Sequence, residues 1–192
     1  MPNTKNLPTY YDDYVKIAKV SKKASAISLL NKFSFRYRLA EDFEGMIAPN
    51  VGKTLAGYNV IMKVFLAYTA YEAIVKAARY LKVQSVEEYE LNTVFDLELA
   101  VKIRANQKLR AYLLAHRHRS DLANKIRLFF DGTTNDVVCI AYALRNIFSH
   151  GELTASVIGT ETIAKRKLFI EIANSILDYC DDTFTLCLNR LR

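Results

Sequence analysis

The sequence predicts an all-α fold, a single-domain helical bundle of about five to six helices over residues 1–192. Three observations predict it. Gly (6) and Pro (3) are scarce while Leu, Ala, Lys and Arg are plentiful, which suits long helices and leaves little turn chemistry for hairpins. Apolar residues recur at i, i+3 and i+4 over long stretches, the period of one buried helix face. No internal repeat, low-complexity tract or interdomain linker interrupts the 192 residues, and a chain of this length buries a sizeable core. A hydrophobic fraction of 51%, with Tyr and Phe spread along the chain, argues against disorder.

The elements follow in order. A first helix is expected over residues 9–39, with Pro8 just ahead of it. Residues 41–57 hold Gly45, Pro49, Gly52 and Gly57 and read as the one long loop. A second helix covers 58–82, where Ile61, Val64, Phe65, Tyr68, Val75 and Ala78 keep helical spacing. A third covers 95–119 and a shorter one 121–130, which the Asp131-Gly132-Thr133-Thr134-Asn135 cluster ends. The fifth spans 136–150 and stops at Gly151, the residue type expected just past a helix C-terminus. The last spans 161–191, with Phe169, Ile172, Ile176, Cys180, Phe184, Cys187 and Leu191 as its buried stripe.

Composition also narrows the class. No N-terminal stretch has a signal-peptide pattern, and the most apolar window, 60–81, is broken by Lys63, Glu72, Lys76 and Arg79, so no membrane span is expected. Three cysteines, Cys139, Cys180 and Cys187, lack framework spacing and read as free thiols in a reducing compartment, which makes the expected location cytoplasmic. The net charge is +7, and residues 100–127 alone carry it. Lys102, Arg104, Lys108, Arg110, Arg117, Arg119, Lys125 and Arg127 stand there against Asp121. Such a run is either a solvated helix face or the electrostatic footprint of a polyanion such as RNA. On the second reading Lys102, Arg104, Lys108, Arg110, Arg117 and Arg119 are candidate RNA contacts.

Some apparent motifs dissolve on inspection. Gly52-Lys53-Thr54 resembles the end of a phosphate-binding loop, but that loop needs a Gly where Ile47 stands and a strand before it. His116 and His118, two apart on a presumed helix, would point about 200° from each other and could not share a metal ion. No metal and no cofactor is expected. Cys180 and Cys187 share a helix face and read as core.

Residues 141–153 carry the information. Arg145, Asn146 and His150 interrupt an otherwise apolar helix near its C-terminal end. Val137, Ile140, Ala141, Leu144, Ile147 and Phe148 form the core stripe. Cys139, Ala143, Asn146 and His150 form a second stripe of small residues that permits close approach of another helix, including one from a second subunit. Glu72 falls inside the apolar stripe of the second helix, where an unpaired carboxylate is costly. Its partner is either Arg145 or Lys76, four residues on.

The segment Arg145-Asn146-Ile147-Phe148-Ser149-His150, followed by Gly151, resembles the HEPN superfamily of helical-bundle proteins, whose hallmark is Arg, four to six residues, then His. The resemblance implies a HEPN-like domain and, in catalytic members, metal-independent endoribonuclease activity of toxin or defence type. His150 would take the proton of a ribose 2′-hydroxyl, Arg145 would stabilise charge on the phosphoryl oxygens, and Asn146 would orient His150 or the phosphate. The product would be a 2′,3′-cyclic phosphate, and DNA, lacking the hydroxyl, would not be a substrate.

The resemblance further implies a homodimer in which two motifs, each with its His150, meet at the two-fold interface, and an antitoxin or other regulatory protein as partner. Where one group of HEPN toxins has a Tyr two residues after the His, this chain has Glu152, whose charge weakens RNA binding unless it is paired or points away. The alternative is a non-catalytic HEPN-like module binding nucleotide, RNA or a protein partner. A third reading has Arg145 and His150 only satisfying each other and the helix C-terminus.

Overall fold

A computed structural model describes residues 6–48, 52–83 and 97–192. Pro49 of the expected loop and Phe95, the expected start of the third helix, lie outside them. Among the described residues there are eight helices and no strand: α1 (Tyr11–Val20), α2 (Ala24–Glu41), α3 (Gly52–Tyr80), α4 (Leu97–Ala105), α5 (Gln107–Ala115), α6 (Ser120–Phe130), α7 (Val137–Ser149) and α8 (Ile163–Leu191). None is long and apolar enough to cross a membrane.

The all-α class is as expected, and the number of helices exceeds the five to six foreseen because two expected helices are broken. Ser21 ends α1, its backbone N–H still bonded to Ile17 O but its own conformation extended (φ −72°, ψ 135°). Its hydroxyl accepts from the Lys23 N–H at 3.3 Å, the local competition by which Ser opposes a continuing helix. Asn106 divides the third expected helix: its side chain accepts from Leu109 N at 3.2 Å and so caps α5, a position that suits Asn better than a helix interior.

α3 is the central element. Val60, Ile61, Val64, Ala67, Tyr68, Ala70, Ala73, Ile74, Val75, Ala77 and Ala78 are all buried, on more than one face, because α8, α2 and α7 all pack against it. At 29 residues each, α3 and α8 are about 43 Å long by the standard helical rise. Every member of the expected α8 stripe is buried, including Cys180 and Cys187, whose thiols burial pushes up in pKa, Cys187 to about 12. They are core, as their spacing indicates.

Gly57 belongs to α3 and not to a loop. A β-carbon there would run into Thr160 Oγ1 and sit 2.8 Å from Ala155 Cβ, so this glycine serves the close approach of α3 to the segment 152–162. That segment is a second long connection, which the sequence pattern did not announce. It is anchored by buried Leu153, Ala155 and Ile158 and by the Thr160 hydroxyl donating to Ala155 O at 2.7 Å.

Candidate functional site

α7 owes its position to caps at both ends. Asp136 accepts from Val138 N at 3.0 Å and opens the helix. At the other end Gly151 (φ 72°) donates to Phe148 O at 3.0 Å and Glu152 N donates to Ile147 O at 3.2 Å, the two bonds of a Schellman motif. His150 is the capping residue itself (φ −88°, ψ 0°) and is exposed. The backbone turn thus sets where His150 and Glu152 start from, whatever their side chains do.

The helix is nearly enclosed. Val137, Val138, Cys139, Ile140, Ala141, Ala143, Leu144 and Ile147 are buried, Phe148 is partly buried, and Tyr142, Arg145, Asn146 and Ser149, spaced i, i+3, i+4 and i+7, form the more open face. Cys139 and Ala143 are therefore covered within the chain, the Cys139 thiol lying 3.9 Å from Lys125 O of α6. α6 of the same chain thus packs along the small-residue stripe at Cys139. Only Asn146 and His150, at its end, remain for anything else.

A cleft of about 410 Å³ opens at that end. From α7 and the turn after it come Tyr142, Asn146, Ile147, His150 and Glu152, and from residues 116–119 and the start of α6 come His116, Arg117, His118, Arg119 and Leu122. All three histidines of the chain line it. The geometry expected for His116 and His118 is overturned here. α5 stops at Ala115, and residues 116–119 leave the helix with His116 extended (φ −74°, ψ 142°), so the two rings lie with centroids 5.1 Å apart instead of on opposite faces. Nothing local announces this stop. It is held by the His118 ring, whose Nε2 donates to Leu113 O at 2.9 Å and satisfies a carbonyl of the last turn of α5. Burial lowers the His118 pKa; this hydrogen bond opposes the shift and the neighbouring His116 adds to it.

Glu152 faces His116. Its Oε2 lies 3.2 Å from His116 Nε2, and its main-chain oxygen accepts from the Tyr112 hydroxyl at 2.9 Å. Arg145 does not line the cleft. Its Nη1 donates to Asn146 Oδ1 at 3.0 Å and its Nη2 lies 3.6 Å from Glu72 Oε2, which draws the guanidinium toward α3. Glu72 thus pairs with Arg145 and not with Lys76. The Arg145 Nε is buried with no hydrogen-bond partner among the described residues. Asn146 is the link between the two halves, held by Arg145 and lining the cleft with His150. Beside them Tyr142 stacks on Tyr68 (centroids 5.4 Å, 15° between planes), and Phe148 meets Phe65 at 5.7 Å.

The expected RNA contacts divide into groups. Arg117 and Arg119 line the cleft, and Arg119 also lies 3.7 Å from Asp121. Arg110 is exposed on α5. Lys102 is paired with Glu98 and Glu171, and Lys108 with Glu161. Arg104 is structural. It donates to Phe129 O, Thr134 O and Asn135 Oδ1 at 2.6–2.7 Å and lies over the Phe129 ring, tying α4 to the end of α6. His116 and His118 were missed as site residues because a helix was assumed to run through them.

Among the described residues no group of three or more His, Cys, Asp or Glu could hold a metal ion. Compared with protein-family models, curated proteins and solved structures, the chain matches none. The functional reading rests on the motif and on the cleft.

Proposed function

We propose that this chain is a HEPN-like, metal-independent endoribonuclease of toxin or defence type, with its active site in the cleft at the end of α7. One observation carries the proposal: Asn146 and His150 of the motif share a concave site with the guanidinium groups of Arg117 and Arg119. An imidazole beside cationic donors is what cleavage through the ribose 2′-hydroxyl needs. The ring accepts the hydroxyl proton, and the guanidinium groups neutralise the phosphate as O2′ attacks phosphorus. Arg145 acts from behind by holding Asn146, and Glu72 holds Arg145. A regulatory protein of antitoxin kind, seated over Arg117 and His150, would close the cleft to RNA.

The test is incubation of mixed RNA with wild-type and His150→Ala protein in excess EDTA. Cleavage by the wild type leaving cyclic-phosphate ends, with a loss of at least about a hundredfold in the variant, is the expected result. Cleavage by neither protein sinks the proposal.

A second reading has its own observation. Arg145 itself does not line the cleft, its Nη1 and Nη2 facing Asn146 and Glu72, which suits a non-catalytic module that binds RNA, nucleotide or a protein partner. RNA bound by the wild type, lost in Arg117→Ala, and never cut would establish it.

A further inference from the structure

A base alone does not cleave RNA efficiently, because the leaving 5′-oxygen needs a proton. The two-fold arrangement implied by the HEPN resemblance would supply it from a second His150. The cleft offers another source in the same chain. Resting on the ribonuclease reading above, we infer that His116 is the general acid opposite His150, so that one chain holds a complete acid–base pair.

Five observations lead there. His116 and His150 come from different elements, one just past α5 and the other ending α7, yet they line one cleft of about 410 Å³. The His116 ring is fixed: Nε2 faces Glu152 Oε2 at 3.2 Å, the Tyr112 ring lies at 5.8 Å, and the side chain is 21% exposed. The Glu152 main chain, from which that carboxylate reaches, is held by the bond from its N–H to Ile147 O and by the Tyr112 hydroxyl on its carbonyl. A carboxylate on one ring nitrogen orients the imidazole and balances its positive form, leaving Nδ1 to work. His118 does not compete for the role, since its Nε2 is committed to Leu113 O and its partly buried ring resists taking a proton. Arg117 and Arg119 flank His118 on the same segment and supply charge for the phosphate between the two working rings.

The step balances. His150 takes the 2′-hydroxyl proton, O2′ forms a bond to phosphorus, the P–O5′ bond breaks, and O5′ receives a proton from the His116 imidazolium. The products are a 2′,3′-cyclic phosphate and a 5′-hydroxyl end, nothing is oxidised or reduced, and proton exchange with water restores both rings.

The discriminating probe is a pair of substrates that differ only in the leaving group. An oligoribonucleotide needs its 5′-oxygen protonated, whereas a mixture of ribonucleoside 3′-(4-nitrophenyl phosphates) releases an anion that leaves without help. His116→Ala should lose about a hundredfold or more on the oligonucleotide and less than about threefold on the ester. His150→Ala should lose both. Glu152→Gln should show the selectivity of His116→Ala in milder form, and it guards against a misfolded alanine variant. Wild-type specific activity should not depend on protein concentration. Equal losses of His116→Ala on the two substrates, no loss on either, or specific activity rising with concentration would each overturn the assignment of His116 while leaving the ribonuclease intact. A wild type inert on both substrates overturns the ribonuclease reading itself.

Discussion

At His118 the fold withholds water from an imidazole that the unfolded chain exposes. Its pKa lies below the ordinary 6.5, chiefly through burial. The sign follows directly. As pH falls through that range the unfolded chain takes up a proton that the folded chain still refuses, so stability is retained above it and lost below. His116, Glu152, Arg117 and Arg119 surround the same cleft, and the carboxyls of Asp178 and Glu41, raised by burial, respond in the opposite direction. The comparison must therefore be differential. Urea unfolding from about pH 7 to about pH 5 should show wild-type stability falling relative to His118→Gln. A constant difference across that range would mean that His118 titrates alike in both states.

Among the elements, the meeting of α3 with the 152–162 segment positions the turn that carries Glu152. At Gly57 the Ala155 and Thr160 side chains lie where a β-carbon would be, and the Tyr58 hydroxyl donates to Leu153 O at 3.3 Å beside it. Alanine at position 57 would improve helix propensity by about 1 kcal/mol, yet its β-carbon meets Ala155 Cβ, which has no rotamer to give way. The overlap outweighs the propensity: Gly57→Ala should destabilise the chain by about 1–2 kcal/mol in urea unfolding, and Ala155→Gly in the same chain should restore part of it. An unchanged midpoint would show that the segment shifts freely.

For the molecule as a whole, the fold divides a charge run that is continuous in sequence. Lys102 and Lys108 stand in ion pairs, Arg104 ties α4 to α6, and Arg117 and Arg119 reach the cleft. Stability and RNA affinity should therefore separate cleanly. Arg104→Ala should cost about 2–3 kcal/mol of stability, since it strips a charged donor from three oxygens. It should leave the salt dependence of RNA binding unchanged. Arg117→Ala and Arg119→Ala should each reduce the slope of log affinity against log salt by about 0.7–1, with stability changed by no more than about 0.5 kcal/mol. The Arg119–Asp121 pair, 82% and 65% exposed, adds little to this. If Arg104→Ala alone weakens RNA binding, the footprint lies on α4 and not at the cleft.

The sequence by itself determined the helical class, the two ends of α7, the buried stripes and the need of Glu72 for a basic partner. Each is written in residues a few positions apart or in a burial cost that demands a partner. Gly151 announces a cap through its own chemistry, and an apolar period of 3.6 needs nothing beyond the helix that carries it. Tertiary structure alone decided that α5 stops at Ala115, that Gly57 is a packing residue and that Arg145 turns toward α3 while three histidines face one cleft. Those outcomes depend on partners distant along the chain: 40 residues from Tyr112 to Glu152 and 95 from Tyr58 to Leu153. Local propensity is silent about such meetings, because the free energy that decides them exists only once the elements have packed.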